Sequence, residues 1–243
     1  MELIKKQIHM NQWKGNVTTQ ITLDDDFIVP DTLDDMEQVM LDTGEIQIET
    51  VKNQGDKVAV KGKLEFQVLY RKESGGLQTL GGNIPFEEVV NVQGLEEKDY
   101  VGLNWMLEDL NTDMINSRKL GVQAIITLQV RVETLRDVEA AVDVDMENNS
   151  RPAGAGMSDT DGAGQVQVET LKRTANAAAI AVRRKDTYRI KEELSLTGGK
   201  PNIGQLLWRE MKLRDVTAKP LDGRLHLDGE LSVFVIYGAE DEN

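Results

Sequence analysis

The longest regular pattern in the chain is a strict alternation of apolar and polar residues. An alternation of period two is typical of half-buried strands in an antiparallel sheet. Three long stretches show it: residues 58–70, 120–132 and 225–237. Shorter strands are predicted at residues 17–23, 45–51, 86–92 and 101–107. INSRKLG, residues 115–121, lies between two strand patterns and predicts a hairpin turn.

Two segments that follow a proline predict short helices. TLDDMEQVML follows Pro30 with Asp31 as a possible N-cap, and IGQLLWREM follows Pro201 with Asn202 in the same role. Their apolar residues recur at helical spacing: Leu33, Met36 and Met40, then Ile203, Leu206, Leu207 and Met211. The alanine-rich segment VETLKRTANAAAIAVRRK, residues 168–185, predicts a third helix, with Leu171, Ala175, Ala178 and Val182 on one side.

The composition changes between the two β-rich parts of the chain. SRPAGAGMSDTDGAG, residues 150–164, is rich in Gly, Ala, Ser and Asp and contains too little apolar surface to order itself. We therefore predict a first β module at residues 1–146, a linker with the third helix at 147–187, and a second, partial β module at 188–243.

Two strand segments of the chain have nearly the same sequence pattern. KGKLEFQVLY at residues 61–70 and DGELSVFVIY at 228–237 share a glycine, an apolar alternation and a closing tyrosine, at an offset of 167 (229 − 62). The two proline-helix segments repeat at an offset of 171 (201 − 30), so a contraction of four residues is needed. The ordered agreement predicts a duplicated unit. The expected fold is mainly β: an antiparallel β-sandwich or partly open barrel, built from a duplicated strand-helix-hairpin unit with two or three short helices.

These segments resemble the SPOCS domain of spore-coat-associated proteins of anaerobic endospore formers. The resemblance is carried by L-x6-P before each predicted helix, by VKGKLEFQVLY and LDGELSVFVIY, and by NIPFEEVVNV and INSRKLGVQAIITLQVRV after the first copy. It covers most of residues 17–132 and, for the second copy, 188–237. It implies a β-rich structural or interaction protein of the spore envelope.

Charge and cysteine content exclude several function classes. The net charge of −14 and the pI of about 4.7 disfavour binding to nucleic acid or to anionic membranes. The chain has no cysteine, which excludes disulfides, thiolate zinc sites and cysteine nucleophiles. No signal peptide or transmembrane run is recognisable, so we expect a cytoplasmic protein. The resemblance to the SPOCS domain implies the mother-cell side and recruitment to the forespore or spore surface.

Candidate catalytic groups are few. His9 and His226 are the two histidines, and nothing in the pattern brings them together. The 42 carboxylates include no pair that the sequence singles out. We therefore predict no enzyme activity, no cofactor and no metal. Two alternatives stay open: a module binding cortex or cell-wall glycan, although Trp13, Trp105 and Trp208 are expected in the core, and, more remotely, a carboxylate-based hydrolase.

Two groups of residues are candidates for binding a partner. A basic cluster in this acidic chain has two interpretations: the solvated side of a helix, or a docking patch for an acidic partner. It comprises Lys172, Arg173, Arg183, Arg184 and Lys185. Phe234 and Ile236 lie where polar side chains are expected, either beneath the preceding helices or exposed for self-assembly. The expected partners are other spore coat or morphogenetic proteins, or copies of the chain itself.

Overall fold

Most of the described residues lie in β-strands, and none of them lies in a helix. A computed structural model describes residues 2–145, 171, 173–174, 176, 179–180, 182–184, 186–196 and 198–240. The strands are β1 (Glu2–Ile28), β2 (Met36–Asn53), β3 (Lys57–Lys72), β4 (Leu77–Asn91), β5 (Tyr100–Asn116), β6 (Lys119–Asp145), β7 (Ile203–Leu221) and β8 (Arg224–Ala239). The prediction of a mainly β protein is confirmed.

The strands form three sheets. Two have three strands each, in the orders β1-β6-β5 and β2-β3-β4, and the third is the hairpin β7-β8. The pairs β2-β3, β3-β4 and β7-β8 are antiparallel. All the predicted strands are found, and the turn between β5 and β6 lies within residues 115–121 as expected.

Contacts between Cα atoms divide the chain into two compact units. The first contains described residues within 1–15, 98–100 and 132–188. The second contains described residues within 16–97, 101–131 and 189–243. The predicted domain boundaries at 146 and 188 remain a prediction, because the segment around residue 150 lies outside the described residues.

The buried core of the second unit is made by the alternating residues of β3 and β6. Side chains from the two three-stranded sheets contact each other there, as the rings of Phe27 in β1 and Phe66 in β3 show with centroids 4.5 Å apart. At Gly44 in β2, an added Cβ would lie 3.0 Å from Leu107 of β5. The fully buried residues of these two strands include Val58, Val60, Leu64, Val68, Tyr70, Leu120, Val122, Ile126, Leu128 and Val130.

The two helices predicted after the prolines are wrong. Residues 36–40 belong to β2 and residues 203–211 to β7. β2 and β7 each contain three register shifts. The first two lie between Met36 and Gln38 and between Val39 and Leu41 in β2, and at the corresponding places in β7. A bulge inserts one residue, so core-facing side chains recur at intervals of three instead of two. That interval imitates helical spacing in the sequence.

The third predicted helix is also absent from the residues that can be described. Leu171, Ile180 and Val182 belong to no helix or strand, and Leu171 and Val182 are exposed. Ala175 and Ala178, which the prediction also used, lie outside the described residues, as does the predicted linker at 150–164. Because Leu171 and Val182 are not in a helix, helical spacing does not place them on one side.

The hairpins β2-β3 and β7-β8 share one register at an offset of 167. Val39 pairs with Tyr70 and Leu206 with Tyr237. The first two bulges fall at equivalent positions. The third irregularity lies between Ile48 and Thr50 in β2 and, one residue longer, between Arg214 and Thr217 in β7, and beyond it the pairing has the same offset to the turn ends. The offset of 171 predicted for the proline segments is therefore wrong for the strands. It results from aligning these segments as helices, whereas they are bulged strands.

Candidate functional site

The predicted basic cluster contains side chains that already have partners inside the first unit. The Arg183 guanidinium forms an ion pair with Glu133 and lies 4.1 Å from the ring centroid of Tyr100. Arg184 pairs with Asp186 at 2.9 Å, whereas Arg173 is exposed. Lys172 and Lys185 lie outside the described residues. These contacts give Arg183 a structural role, and a docking role for the cluster stays a prediction.

The two histidines each face a carboxylate. His9 Nδ1 lies 2.5 Å from Asp137 in the first unit, where Lys5 also pairs with Glu139 at 3.0 Å. His226 Nε2 lies 3.2 Å from Asp228 on β8. Both histidines are exposed, and each contact is local to its own surface. The structure does not bring the two histidines together into one site.

Arg118 makes four side-chain hydrogen bonds in the second unit. Its guanidinium donates to the carbonyl oxygens of Leu33 at 2.8 Å and Val29 at 2.9 Å. It also donates to the carboxylates of Asp31 and Asp35, both at 3.0 Å. Arg118 thereby holds the segment between β1 and β2 against the β5-β6 turn. Sequence reasoning missed this cluster because Arg118 is more than 80 residues away from each of its four acceptors.

The tyrosine that closes each repeated strand makes an equivalent hydrogen bond. The hydroxyl of Tyr70 donates to the carbonyl oxygen of Asp34 at 3.0 Å, and that of Tyr237 to the carbonyl oxygen of Pro201 at 3.2 Å. Asp34 and Pro201 are again 167 residues apart (201 − 34). Burial, and then the negative charge of Asp34, raises the pKa of Tyr70.

The carboxylate of Asp34 is itself held by two donors. Lys72 Nζ lies 3.0 Å from its Oδ2, and Ser74 Oγ donates to the same oxygen at 3.1 Å. The hydrogen bond from Lys72, then that from Ser74, lowers the pKa of Asp34 below its ordinary value. This cluster joins the start of β2 to the end of β3 and is a structural feature of the hairpin.

The β7-β8 hairpin exposes an apolar face. The antiparallel register places seven exposed large apolar side chains on that one side of the hairpin. They are Leu206, Met211, Leu213, Leu225, Leu227, Leu231 and Val233, and we call this set the hairpin face. Exposed apolar residues are common singly, but a contiguous set marks an interaction surface.

The equivalent side of β2-β3 is buried. Leu231 is 49% exposed and its counterpart Leu64 is 0% exposed. Leu227 is 61% exposed against 0% for Val60, and Leu213 is 65% exposed against 7% for Ile46. The same pattern of side chains is therefore buried in one hairpin and exposed in the other.

The opposite side of β7-β8 carries the two apolar residues predicted to bind a partner. Phe234 is exposed and Ile236 is half-buried. The helices expected to cover them do not form. On this side Trp208, paired with Ile236, is buried, whereas Trp13 and Trp105 are exposed, so the expectation of core tryptophans holds for Trp208 alone.

A shallow groove of about 570 Å³ separates part of β7 from the β2-β3 hairpin. It is lined by residues 43–45, 65–67 and 209–212, which supply both acidic and basic side chains. Across the residues that can be described, no group of three or more His, Cys, Asp or Glu side chains is placed to hold a metal ion. Among the same residues, no helix has the length and apolar content needed to cross a membrane.

Residues 35–115 match the family model described as SipL, SPOCS domain. This segment is similar to the SPOCS domain. The match begins just before β2 and ends near the end of β5, which confirms the resemblance noted in the sequence over that range. A SPOCS domain indicates a sporulation-related protein. No curated protein and no solved structure matches the chain.

The family match and the hairpin face occupy different parts of the chain. The match covers β2, β3, β4 and most of β5, whereas β7 and β8 lie beyond it. The exposed apolar surface is therefore carried by a hairpin that shares the register of the SPOCS hairpin without lying inside the matched segment.

Proposed function

We propose that this protein is a non-enzymatic structural component of spore envelope assembly, acting through protein–protein contacts of its β modules. The observation that carries the proposal is the exposed hairpin face in a chain that also contains a SPOCS domain. A protein specialised for assembly needs an apolar surface that stays uncovered until its partner arrives.

We also infer that β7-β8 is a second, partial copy of β2-β3. Three features support the duplication: the shared strand register, the coincident bulges, and the tyrosine hydrogen bonds of Tyr70 and Tyr237. The contact between Phe27 and Phe66 supports a sandwich of the two three-stranded sheets. The second copy keeps the hairpin but has no equivalent covering sheet among the described strands.

The proposed site of action is the mother-cell side of the forespore surface, reached from the cytoplasm. The presence of a SPOCS domain supports this location. The partners are other coat or morphogenetic proteins, or further copies of this chain. In this proposal the acidic character of the chain keeps the protein soluble before it assembles.

A fluorescent fusion of the full chain tests this role in sporulating cells of the host that encodes it. We expect the signal to gather around the forespore, and we expect deletion of the gene to yield spores with lysozyme-sensitive coats. A signal that stays evenly distributed, together with spores of normal lysozyme resistance, would contradict the role.

A glycan-binding function is a second candidate because Trp105 on β5 is exposed. Exposed tryptophans present flat apolar rings to partly apolar ligands. Sedimentation with purified peptidoglycan tests it: binding that is lost in Trp105→Ala and kept in Trp208→Phe would support a glycan ligand. Absence of co-sedimentation of the unmodified protein would remove this candidate.

A further inference from the structure

We propose that the hairpin face is a homodimer interface, covered by the same face of a second copy of this chain. Two β7-β8 hairpins pack face to face about a two-fold axis and form a four-stranded sandwich. The inference rests on the interaction role proposed above and specifies how that interaction is made. It follows from the exposure, the charge and the size of the hairpin.

The hairpin needs a covering layer. A two-stranded sheet alone is marginally stable in water, because it buries too little apolar surface to offset the entropy of ordering its chain. In β2-β3 the counterparts Val60 and Leu64 are buried in the core. In β7-β8 the matching Leu227 and Leu231 are exposed, so the layer that completes this face must come from elsewhere.

Charge favours a second hairpin as that layer. The whole chain carries a net charge of −14, but residues 203–239 contain five Lys and Arg and five Asp and Glu, which gives a net charge of zero. Two neutral hairpins can therefore approach without the like-charge repulsion that the net charge of the whole chain would otherwise cause.

The charged side chains also lie off the proposed interface. Among the residues paired in β7-β8, Arg209 is the only charged one that the register places on the hairpin face. With the two-fold axis near Leu213, four residues away, the two copies of Arg209 stand roughly 25 Å apart at about 3.3 Å per residue. No buried like-charge contact results.

The size of the face fits a reversible dimer. β8 has 16 residues, so the hairpin is about 50 Å long and about 10 Å wide, a footprint of roughly 500 Å² per copy. The total of about 1,000 Å² is at the lower limit for specific protein interfaces. We therefore expect dissociation on the order of micromolar concentrations and not a permanent dimer.

The sequence outside the described residues offers a weaker cover. Residues 146–170 contain four large apolar residues, Met146, Met157, Val166 and Val168. The hairpin face has seven such side chains to cover. An identical hairpin supplies an equal apolar surface with matching spacing, which is the property of an isologous interface.

Sedimentation equilibrium of the full chain tests the proposal through two matched variants. Leu231→Asp places a carboxylate on the hairpin face, and Ser232→Asp places the same carboxylate on the opposite side of the same strand, next to Lys212. We expect the unmodified chain and Ser232→Asp to dimerise, and Leu231→Asp to dimerise at least about 30-fold more weakly. Equal dimerisation of the two variants, or a strictly monomeric unmodified chain at about 100 µM, overturns the proposal.

Thiol cross-linking keeps the proposal testable if Leu231→Asp does not fold. The chain has no cysteine, so a single introduced thiol reports its own contacts. Leu213→Cys, on the face and near the proposed axis, should be linked into a dimer by a bismaleimide that spans about 10 Å, the separation of stacked sheets, at least about tenfold faster than Lys212→Cys, which is on the other side. Equal rates, or faster linkage through Lys212→Cys, contradict the interface.

The outcomes separate this inference from the proposed function. A monomeric chain that still gathers at the forespore would overturn the dimer and leave the interaction role with another partner. A chain that dimerises through the hairpin face but stays evenly distributed in sporulating cells would support the dimer and contradict the role. Dimerisation that Leu231→Asp leaves unchanged places self-association on another surface and overturns this inference.

Discussion

Arg118 joins two segments that are distant in sequence through one guanidinium group. Four of its donors satisfy two carbonyl oxygens and two carboxylates in the segment before β2. Since the side chain is 31% exposed, water competes only in part for these acceptors. Removing the group leaves the acceptors around Val29 and Leu33 without their donor.

We expect Arg118→Met to lower the free energy of unfolding by about 2–3 kcal/mol, because charge-assisted hydrogen bonds are lost while the apolar stem is kept. Arg71→Met is the control. Arg71 makes two hydrogen bonds with Glu37 on an exposed surface, so we expect a loss of at most about 1 kcal/mol. Urea unfolding measures both, and equal losses would show that the Arg118 cluster is not structurally special.

The cluster around Asp34 predicts an acid-sensitive contribution to stability. Because the pKa of Asp34 is lower in the folded state than its ordinary value, the contribution is present above the ordinary value and is lost as the pH falls through the folded pKa. Lys72→Met should raise the pKa of Asp34. The control is Lys61→Met, which removes an ammonium group that pairs with Glu87, and it should leave the pKa of Asp34 unchanged. A carboxyl NMR titration that shows no difference between the two variants would contradict this assignment.

At the scale of the element, the two hairpins differ in how much space surrounds one glycine. Gly62 and Gly229 occupy equivalent positions in β3 and β8. At Gly62 an added Cβ would lie 2.7 Å from both the Gln47 carbonyl oxygen and the Phe86 ring. At Gly229 the nearest atom would be at 3.4 Å, an ordinary contact. The pairing also differs at this place, because Gly62 pairs with Ile48, whereas Gly229 lies opposite the irregularity between Arg214 and Thr217. The site is therefore crowded in one hairpin and open in the other.

This difference predicts opposite tolerance to the same substitution. Gly62→Ala should lower the free energy of unfolding by about 1–3 kcal/mol, because a backbone oxygen and a core ring must move. Gly229→Ala should change it by less than about 0.5 kcal/mol. Thermal unfolding followed by circular dichroism measures both, and a Gly229→Ala loss as large as that of Gly62→Ala would contradict the packing described here.

At the scale of the whole molecule, dimerisation should appear as protection that depends on protein concentration. Anything that binds the folded hairpin and not its opened form stabilises it by mass action. Hydrogen exchange of the full chain should therefore slow in β7-β8 as concentration rises from about 1 to about 100 µM, while exchange in β3 stays constant. Protection of β7-β8 that does not change with concentration would mean that another part of the same chain covers the hairpin face.

How much of this could be predicted from the sequence depends on the range of the interactions involved. The alternation in β3, β6 and β8 is local, and it predicted those strands and their apolar sides correctly. The helices before Met40 and Met211 were predicted wrongly, because bulges change the spacing of core residues and only pairing with a neighbouring strand reveals a bulge. The Arg118 cluster was missed because charged residues more than 80 positions apart carry no local signal.

The candidate interaction residues show the same limit. The sequence singled out Phe234 and Ile236 as apolar residues on a polar side, and the structure finds one exposed and one half-buried. The alternation of Leu225, Leu227, Leu231 and Val233 is the same as that of β3, so it predicts a half-buried strand in both places. Whether such a face is covered depends on which other strands are present, and a single strand pattern contains no information about that.

The order of apolar and polar residues by itself determined that this protein is mainly β and that one strand pattern occurs twice. The tertiary structure alone decided that the bulged segments are strands and that, in the described part of the chain, the apolar side is buried in β2-β3 and exposed in β7-β8. The physical reason is that strand formation follows from side-chain alternation along the chain. Burial depends instead on which distant segments pack against it.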